Sequence, residues 1–118
     1  NLDTDRMYKR LSKAYRDFCT ENEFRMIPAG DAFQAARRSK KWGKPVFPKR
    51  KGGAIKRSLH ADDAFHANAN GNYLLGCVWF DFFFGVDARK IPFVPAEVAP
   101  ADAKVLREIA HAVVAKAR

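Results

Sequence analysis

The chain has few cysteines and no apolar run long enough to cross a membrane. Cys19 and Cys77 are its only two cysteines in 118 residues, so we expect reduced, buried thiols, with a single disulfide as the alternative. The longest apolar run, Tyr73–Phe84, is shorter than the ~20 residues that a membrane helix needs, and Asp81 interrupts it. The sequence therefore predicts neither a disulfide-stapled scaffold nor a membrane span, and its length indicates at most one domain.

Acidic residues are absent from the segment 37–57, which carries ten lysines and arginines. The net charge of the chain is +9, and outside this segment 12 basic residues nearly balance 13 acidic ones. Glycines and prolines in the same segment predict a long exposed basic loop. Its candidate contacts with an anionic substrate or ligand are Lys40, Lys41, Trp42, Lys49, Arg50 and Lys51.

Hydrophobic periodicity predicts a helix near each end of the chain. Residues 4–23 repeat apolar side chains at three- and four-residue steps, with Asp3 or Thr4 as the cap. Within 100–118 a C-terminal helix is predicted from residue 102 to about residue 116, with an apolar stripe between residues 105 and 114. Between them, the short apolar run 24–28 suits a buried strand, and 31–39 suits a short helix.

The apolar run 73–84 predicts a helix buried in the protein core. Its apolar side chains cover all sides of a helix instead of one stripe. Asn68 or Asn70 suits the N-cap, and Gly85 stands where a helix commonly ends.

A carboxylate and an imidazole, Asp63 and His66, stand three residues apart in the turn before this helix. An aspartate that binds one ring nitrogen fixes the histidine tautomer and leaves the other nitrogen available as a general base. The simpler alternative is that Asp62 or Asp63 caps the helix and His66 is an ordinary first-turn residue. No third spaced ligand accompanies His60 and His66, so a metal site is not predicted.

The run from Asp63 to Leu74 resembles the last sequence block of the SGNH (GDSL-type) hydrolases, in the branch related to bacterial carbohydrate acetylesterases. In that block an Asp-x-x-His pair completes a Ser-His-Asp triad, and a glycine and an aromatic-aliphatic pair follow. The segment 28–33 is similar to the P-x-G-x-A-F segment of the same branch. The matching positions of the Asp-x-x-His block are Asp63, His66, Asn68, Gly71, Tyr73 and Leu74.

The resemblance implies an α/β fold with three layers, in which a parallel sheet is flanked by helices. Residues 1–118 would form the helix-rich C-terminal part of a single domain of that kind. The implied activity is ester hydrolysis without a cofactor, with His66 as the general base and Asp63 as its orienting carboxylate. A carbohydrate O-acetyl ester is the favoured substrate, and the family relationship favours export to the periplasm or the cell exterior.

A nucleophile is not evident in the chain. Its three serines, Ser12, Ser39 and Ser58, follow no glycine-acid block, and none is predicted on a sharp strand-to-helix turn. We therefore expect the serine on an N-terminal portion of the same fold, either missing here or supplied as a separate chain. The first residue, Asn1, fits a processed or fragmentary chain.

Two other functions remain open at this point. The chain could be a non-catalytic binding module that uses the 37–57 loop for an acidic polysaccharide or nucleic acid. Nucleic acid is the less favoured ligand because the motif match lies outside that loop. A structural relic that keeps the Asp-His turn without a nucleophile is the third class.

Overall fold

Four α-helices make up most of the described chain. A computed structural model describes residues 3–39, 41–43, 58–63 and 65–118. The helices are α1 (Thr4–Glu21), α2 (Ala29–Arg38), α3 (Ala69–Phe84) and α4 (Pro100–Ala117), with a short 3₁₀ helix (Ala88–Lys90) after α3.

Helix α1 begins and ends close to its predicted limits. The Asp3 carboxylate accepts a hydrogen bond of 2.9 Å from the backbone N–H of Arg6, as an N-cap residue does. The Tyr8 hydroxyl and the Arg16 guanidinium, both on α1, bond the Asp31 carboxylate on α2 at 2.5 and 2.8 Å. These polar contacts hold α1 against the first turn of α2.

Helices α3 and α4 pack against each other and form the centre of the core. Leu74 and Val78 of α3 and Leu106 and Val114 of α4 are fully buried. Asn68 caps α3, and Gly85 ends it in the left-handed conformation with φ of 65°, which glycine adopts without a Cβ penalty. The predicted limits of α3 and the predicted apolar stripe of α4 are confirmed.

The prediction of a three-layer α/β/α fold with a parallel sheet is wrong for the described residues. They contain no sheet, only two isolated bridges, Gly43 with Ser58 and His60 with Ala67. Residues 24–28, predicted as a strand, belong to no helix, strand or turn. Because a strand exists only through backbone bonds to a neighbouring strand, one apolar run without a pairing partner remains irregular.

Helix α3 is only partly buried, although its sequence is apolar on every side. Four aromatic side chains in its second half are 38–71% exposed, namely Trp79, Phe80, Phe83 and Phe84. Both cysteines are free: Cys19 is half-buried, and burial raises the pKa of the Cys77 thiol to about 11. None of the described helices has the length and apolar character that crossing a membrane requires.

Candidate active site

The Asp-His pair belongs to a short backbone turn that leads into α3. The backbone N–H of Ala61 donates to the carbonyl oxygen of His66 at 2.8 Å, and the N–H of Asn68 donates to that of Leu59 at 2.9 Å. These two bonds form the antiparallel bridge between His60 and Ala67. The turn is thereby closed at its base, where His66 makes one of the two bonds, and Asp63 lies within the turn.

Within the turn, the Asp63 carboxylate contacts both the imidazole ring and the backbone N–H of His66. Oδ2 of Asp63 lies 2.6 Å from Nδ1 of His66. Oδ1 accepts hydrogen bonds of 2.9 Å from the backbone N–H groups of Phe65 and His66. A carboxylate bound to Nδ1 favours the tautomer that carries its proton there and leaves Nε2 as the basic nitrogen.

The charge of Asp63 is set by these same bonds. The hydrogen bond to His66, followed by the two backbone N–H groups, lowers the pKa of Asp63 to about 2. Asp63 is thus ionised at any pH near neutrality. The side chains of His66 and Asp63 are 76% and 47% exposed, and no described residue is hydrogen-bonded to Nε2 of His66. The His66 ring is therefore accessible to a reacting group.

Asn68 fixes the base of the turn relative to α3. Its Oδ1 accepts from the backbone N–H of Gly71 at 3.0 Å and so caps the helix. Its Nδ2 donates to the carbonyl oxygens of Ser58 at 2.6 Å and of His60 at 3.1 Å. One side chain therefore joins the helix start to the chain entering the turn. The capping role was predicted from the sequence, whereas the two carbonyl contacts have no signature in residue spacing.

Gly71 provides the space in which this turn packs. A Cβ at residue 71 would overlap the carbonyl oxygen of Leu59 and would lie 3.1 Å from the Cβ of Ala67 and 3.2 Å from the Phe33 ring. The turn can approach the first turn of α3 only because residue 71 has no side chain. Gly71 is one of the positions that carries the resemblance to the SGNH block.

The serines are engaged in local backbone contacts. Ser12 donates to the carbonyl oxygen of Lys9 at 3.3 Å, and Ser39 donates to that of Ala36 at 2.6 Å. Ser58 accepts from the backbone N–H of His60 at 3.0 Å. In the described part of the chain, no serine is hydrogen-bonded to His66, so the structure does not bring a nucleophile to the pair.

His60 is separate from the pair, although it lies only three residues before Asp63. Its ring packs edge-on against Phe33, with 5.5 Å between the ring centres. Burial, followed by the nearby Arg37 charge, lowers the pKa of His60. This half-buried, neutral imidazole supports the packing between the turn and α2.

Most of the predicted basic loop lies outside the described residues. Of the six candidate anion contacts, Lys40, Lys49, Arg50 and Lys51 belong to that undescribed part. Lys41 is exposed, whereas Trp42 is 1% exposed and packs in the core. The Trp42 ring therefore offers no face on which a base or a sugar could stack.

A second Asp-His contact, which residue spacing did not predict, joins α3 to α4. Nδ1 of His111 lies 2.8 Å from Oδ2 of the buried Asp81 and 3.3 Å from Oδ1 of Asp87. The backbone N–H of Ala88 also donates to Oδ2 of Asp81, at 3.0 Å. The only signal for this contact in the sequence was the single charge, Asp81, within an apolar helix.

Asp81, Asp87 and His111 are the one group among the described residues whose ligand atoms lie close enough to hold a metal ion. Their ligand atoms, however, already have cationic or N–H partners. Arg89 makes an ion pair of 2.7 Å with Asp87, which lowers the pKa of that carboxyl group, and Arg118 lies 3.7 Å from Oδ1 of Asp81. These contacts show that the cluster connects the C-terminal end of α3 to α4.

No family model, no curated protein and no solved structure matches this chain.

Proposed function

We propose that the chain supplies the general base and its orienting carboxylate, His66 and Asp63, to a serine ester hydrolase of the SGNH type. The contact of 2.6 Å between Oδ2 of Asp63 and Nδ1 of His66 is the observation that carries this proposal. Asp63 remains ionised, and the side chain of His66 is largely exposed to solvent. An ordinary helix cap would require the Asp63 carboxylate but not its contact with the imidazole.

In the proposed reaction, Nε2 of His66 takes the proton of a serine hydroxyl as its oxygen attacks the ester carbonyl carbon. The imidazolium then donates this proton to the leaving alcohol, and an acyl-serine remains. His66 next deprotonates a water molecule that attacks the acyl group, which releases the acid and restores the serine. Asp63 stabilises the imidazolium in both halves and does not itself take up the proton.

The nucleophile would come from a polypeptide segment outside this chain, since all three serines here serve local backbone contacts. The substrate class is an ester, and a carbohydrate O-acetyl ester is favoured by the sequence resemblance. The binding-module alternative has less support, because Trp42, its one described aromatic candidate, is buried.

Covalent labelling tests the proposal. The chain is purified under native conditions with whatever polypeptide accompanies it, treated with a fluorophosphonate and analysed by intact mass. We expect a label on a serine of the accompanying polypeptide, with labelling at least about tenfold slower in His66→Ala. Asp62→Asn, which removes the neighbouring carboxylate, is the matched control and should label normally. Labelling that is equally fast in His66→Ala, or absent from every polypeptide in the active preparation, would contradict the proposal.

A further inference from the structure

The apolar face of α1 is only partly covered in the described structure, where the Phe18 ring packs against that of Phe24 with 5.9 Å between the ring centres. Four of its side chains, at four- and three-residue steps, lie on one face and are each 50–61% exposed: Met7, Leu11, Tyr15 and Phe18. An amphipathic helix owes most of its stability to the burial of such a face. Leaving four large apolar side chains half in water indicates that another surface belongs against them.

The segment 24–28 follows α1 and has unused backbone hydrogen-bonding groups. Phe24 donates to the carbonyl oxygen of Cys19, and Ala29 donates to that of Ile27. Between them, the backbone N–H groups of Arg25, Met26 and Ile27 make no backbone hydrogen bond to any described residue. The edge of a sheet presents unpaired N–H groups at alternate residues to an added strand, and Arg25 and Ile27 stand two residues apart beside apolar side chains.

The far side of this segment is lined by α3. The Arg25 guanidinium lies 4.4 Å from the centre of the Phe82 ring, which places the segment beside the second half of α3. Leu75 of α3 faces the same groove of about 600 Å³ as Leu11 and Met26. One turn further along α3, Trp79 is 51% exposed. The segment thus lies between two helices that both carry exposed apolar side chains.

An extended polypeptide strand fits these features better than other occupants. A helix satisfies its own backbone groups and would leave those of residues 25–27 unpaired. An alkyl chain has no hydrogen-bonding groups to offer them. A second copy is disfavoured because two chains that each carry a net charge of +9 repel each other.

We propose that the groove between α1 and α3 binds an extended strand of a second polypeptide. The strand pairs its backbone with residues 25–27, buries apolar side chains against both helices and carries carboxylates that face Arg25. Since helices lie on both sides, the strand is apolar on both of its faces.

The groove also lies close to the Asp-His turn. Phe33 lines the groove, its ring contacts His60, and His60 is bridged to Ala67, the neighbour of His66. The polypeptide that carries the strand is therefore our candidate source of the nucleophile for His66. This last point rests on the proposed function, whereas strand binding itself rests on the groove alone.

Peptide binding tests the inference. The probe is a fluorescent peptide with a short run of valine and isoleucine between paired glutamates, and its affinity is measured by anisotropy. Two further peptides are N-methylated at alternate residues, one on each edge of the strand. Because only one edge pairs with residues 25–27, we expect one methylated peptide to bind at least about tenfold more weakly and the other to bind like the parent.

Protein variants complete the test. Leu11→Lys places a charge on the apolar face of α1 and should weaken binding by about tenfold or more. Thr20→Lys adds the same charge on the opposite face of α1 and should change binding by less than about twofold. His66→Ala should bind the peptide normally, so the esterase proposal and the strand inference can fail separately. No saturable binding, equal binding of both methylated peptides, or a stable dimer that buries the α1 face would overturn the inference.

Discussion

The α-carbon of Gly71 packs so closely against the carbonyl oxygen of Leu59 that a methyl group at residue 71 would overlap that oxygen. We predict that Gly71→Ala lowers the free energy of unfolding by about 1–3 kcal/mol, since the turn or the start of α3 must shift. Gly76→Ala, on the same helix with open space around its α-carbon, is the matched control. It should raise the stability by up to about 1 kcal/mol because alanine favours the helix. Chemical denaturation of the three proteins measures both effects, and two shifts of the same sign would contradict the packing described for Gly71.

Asn68 performs two separable tasks, and two substitutions distinguish them. Asn68→Ser keeps a capping oxygen but loses the two donations to the carbonyl oxygens of Ser58 and His60. We expect a loss of roughly 0.5–1.5 kcal/mol for each missing bond. Asn68→Ala should lose about 1 kcal/mol more because the cap is removed as well. Asn72→Ala, at an exposed position of the same helix, should stay within about 0.5 kcal/mol of the parent. Equal stability of the Ser and Ala variants would refute the capping role.

The titration of Asp63 reports directly on its contact with His66. Because the folded state lowers its pKa to about 2, Asp63 contributes stability above its ordinary pKa of about 4. That contribution is lost as the pH falls from about 4 towards 2. Carbon-detected NMR of the side-chain carboxyl group should show a midpoint near 2. We predict that His66→Ala raises this midpoint, since the bond to His66 is the largest cause of the shift, and that His111→Ala leaves it in place. An unchanged midpoint in His66→Ala would mean that the two side chains do not interact in solution.

Local residue patterns predicted the helices and the turn well. The ends of the helices can be read from the sequence because each capping residue bonds to the backbone three or four residues away. These capping residues are Asp3, Asn68 and Gly85. The Asp63–His66 contact is equally local and was predicted from its spacing. The Leu59 contact that requires a glycine at residue 71 was not evident from spacing.

Long-range relationships were predicted poorly. The contact between His111 and Asp81 spans 30 residues and joins two helices whose packing no spacing rule specifies. The apolar run 24–28 predicted a strand, but strand formation depends on a neighbour that the described residues do not provide. The exposure of the apolar face of α1 was not predicted for a similar reason. Amphipathic periodicity predicts which side of a helix is apolar, but not what covers that side.

The most direct measurement is the rate of ester hydrolysis by the chain together with the polypeptide that accompanies it under native conditions. The parent chain is compared with the Asp63→Asn variant. An amide at residue 63 retains the size of the side chain but can no longer stabilise the imidazolium or hold the required tautomer. With p-nitrophenyl acetate as the substrate, we predict that kcat falls by up to about 10⁴-fold in Asp63→Asn and changes little in Asp62→Asn. A kcat for Asp63→Asn within about threefold of the parent would contradict the assignment of Asp63 and His66 as the catalytic pair.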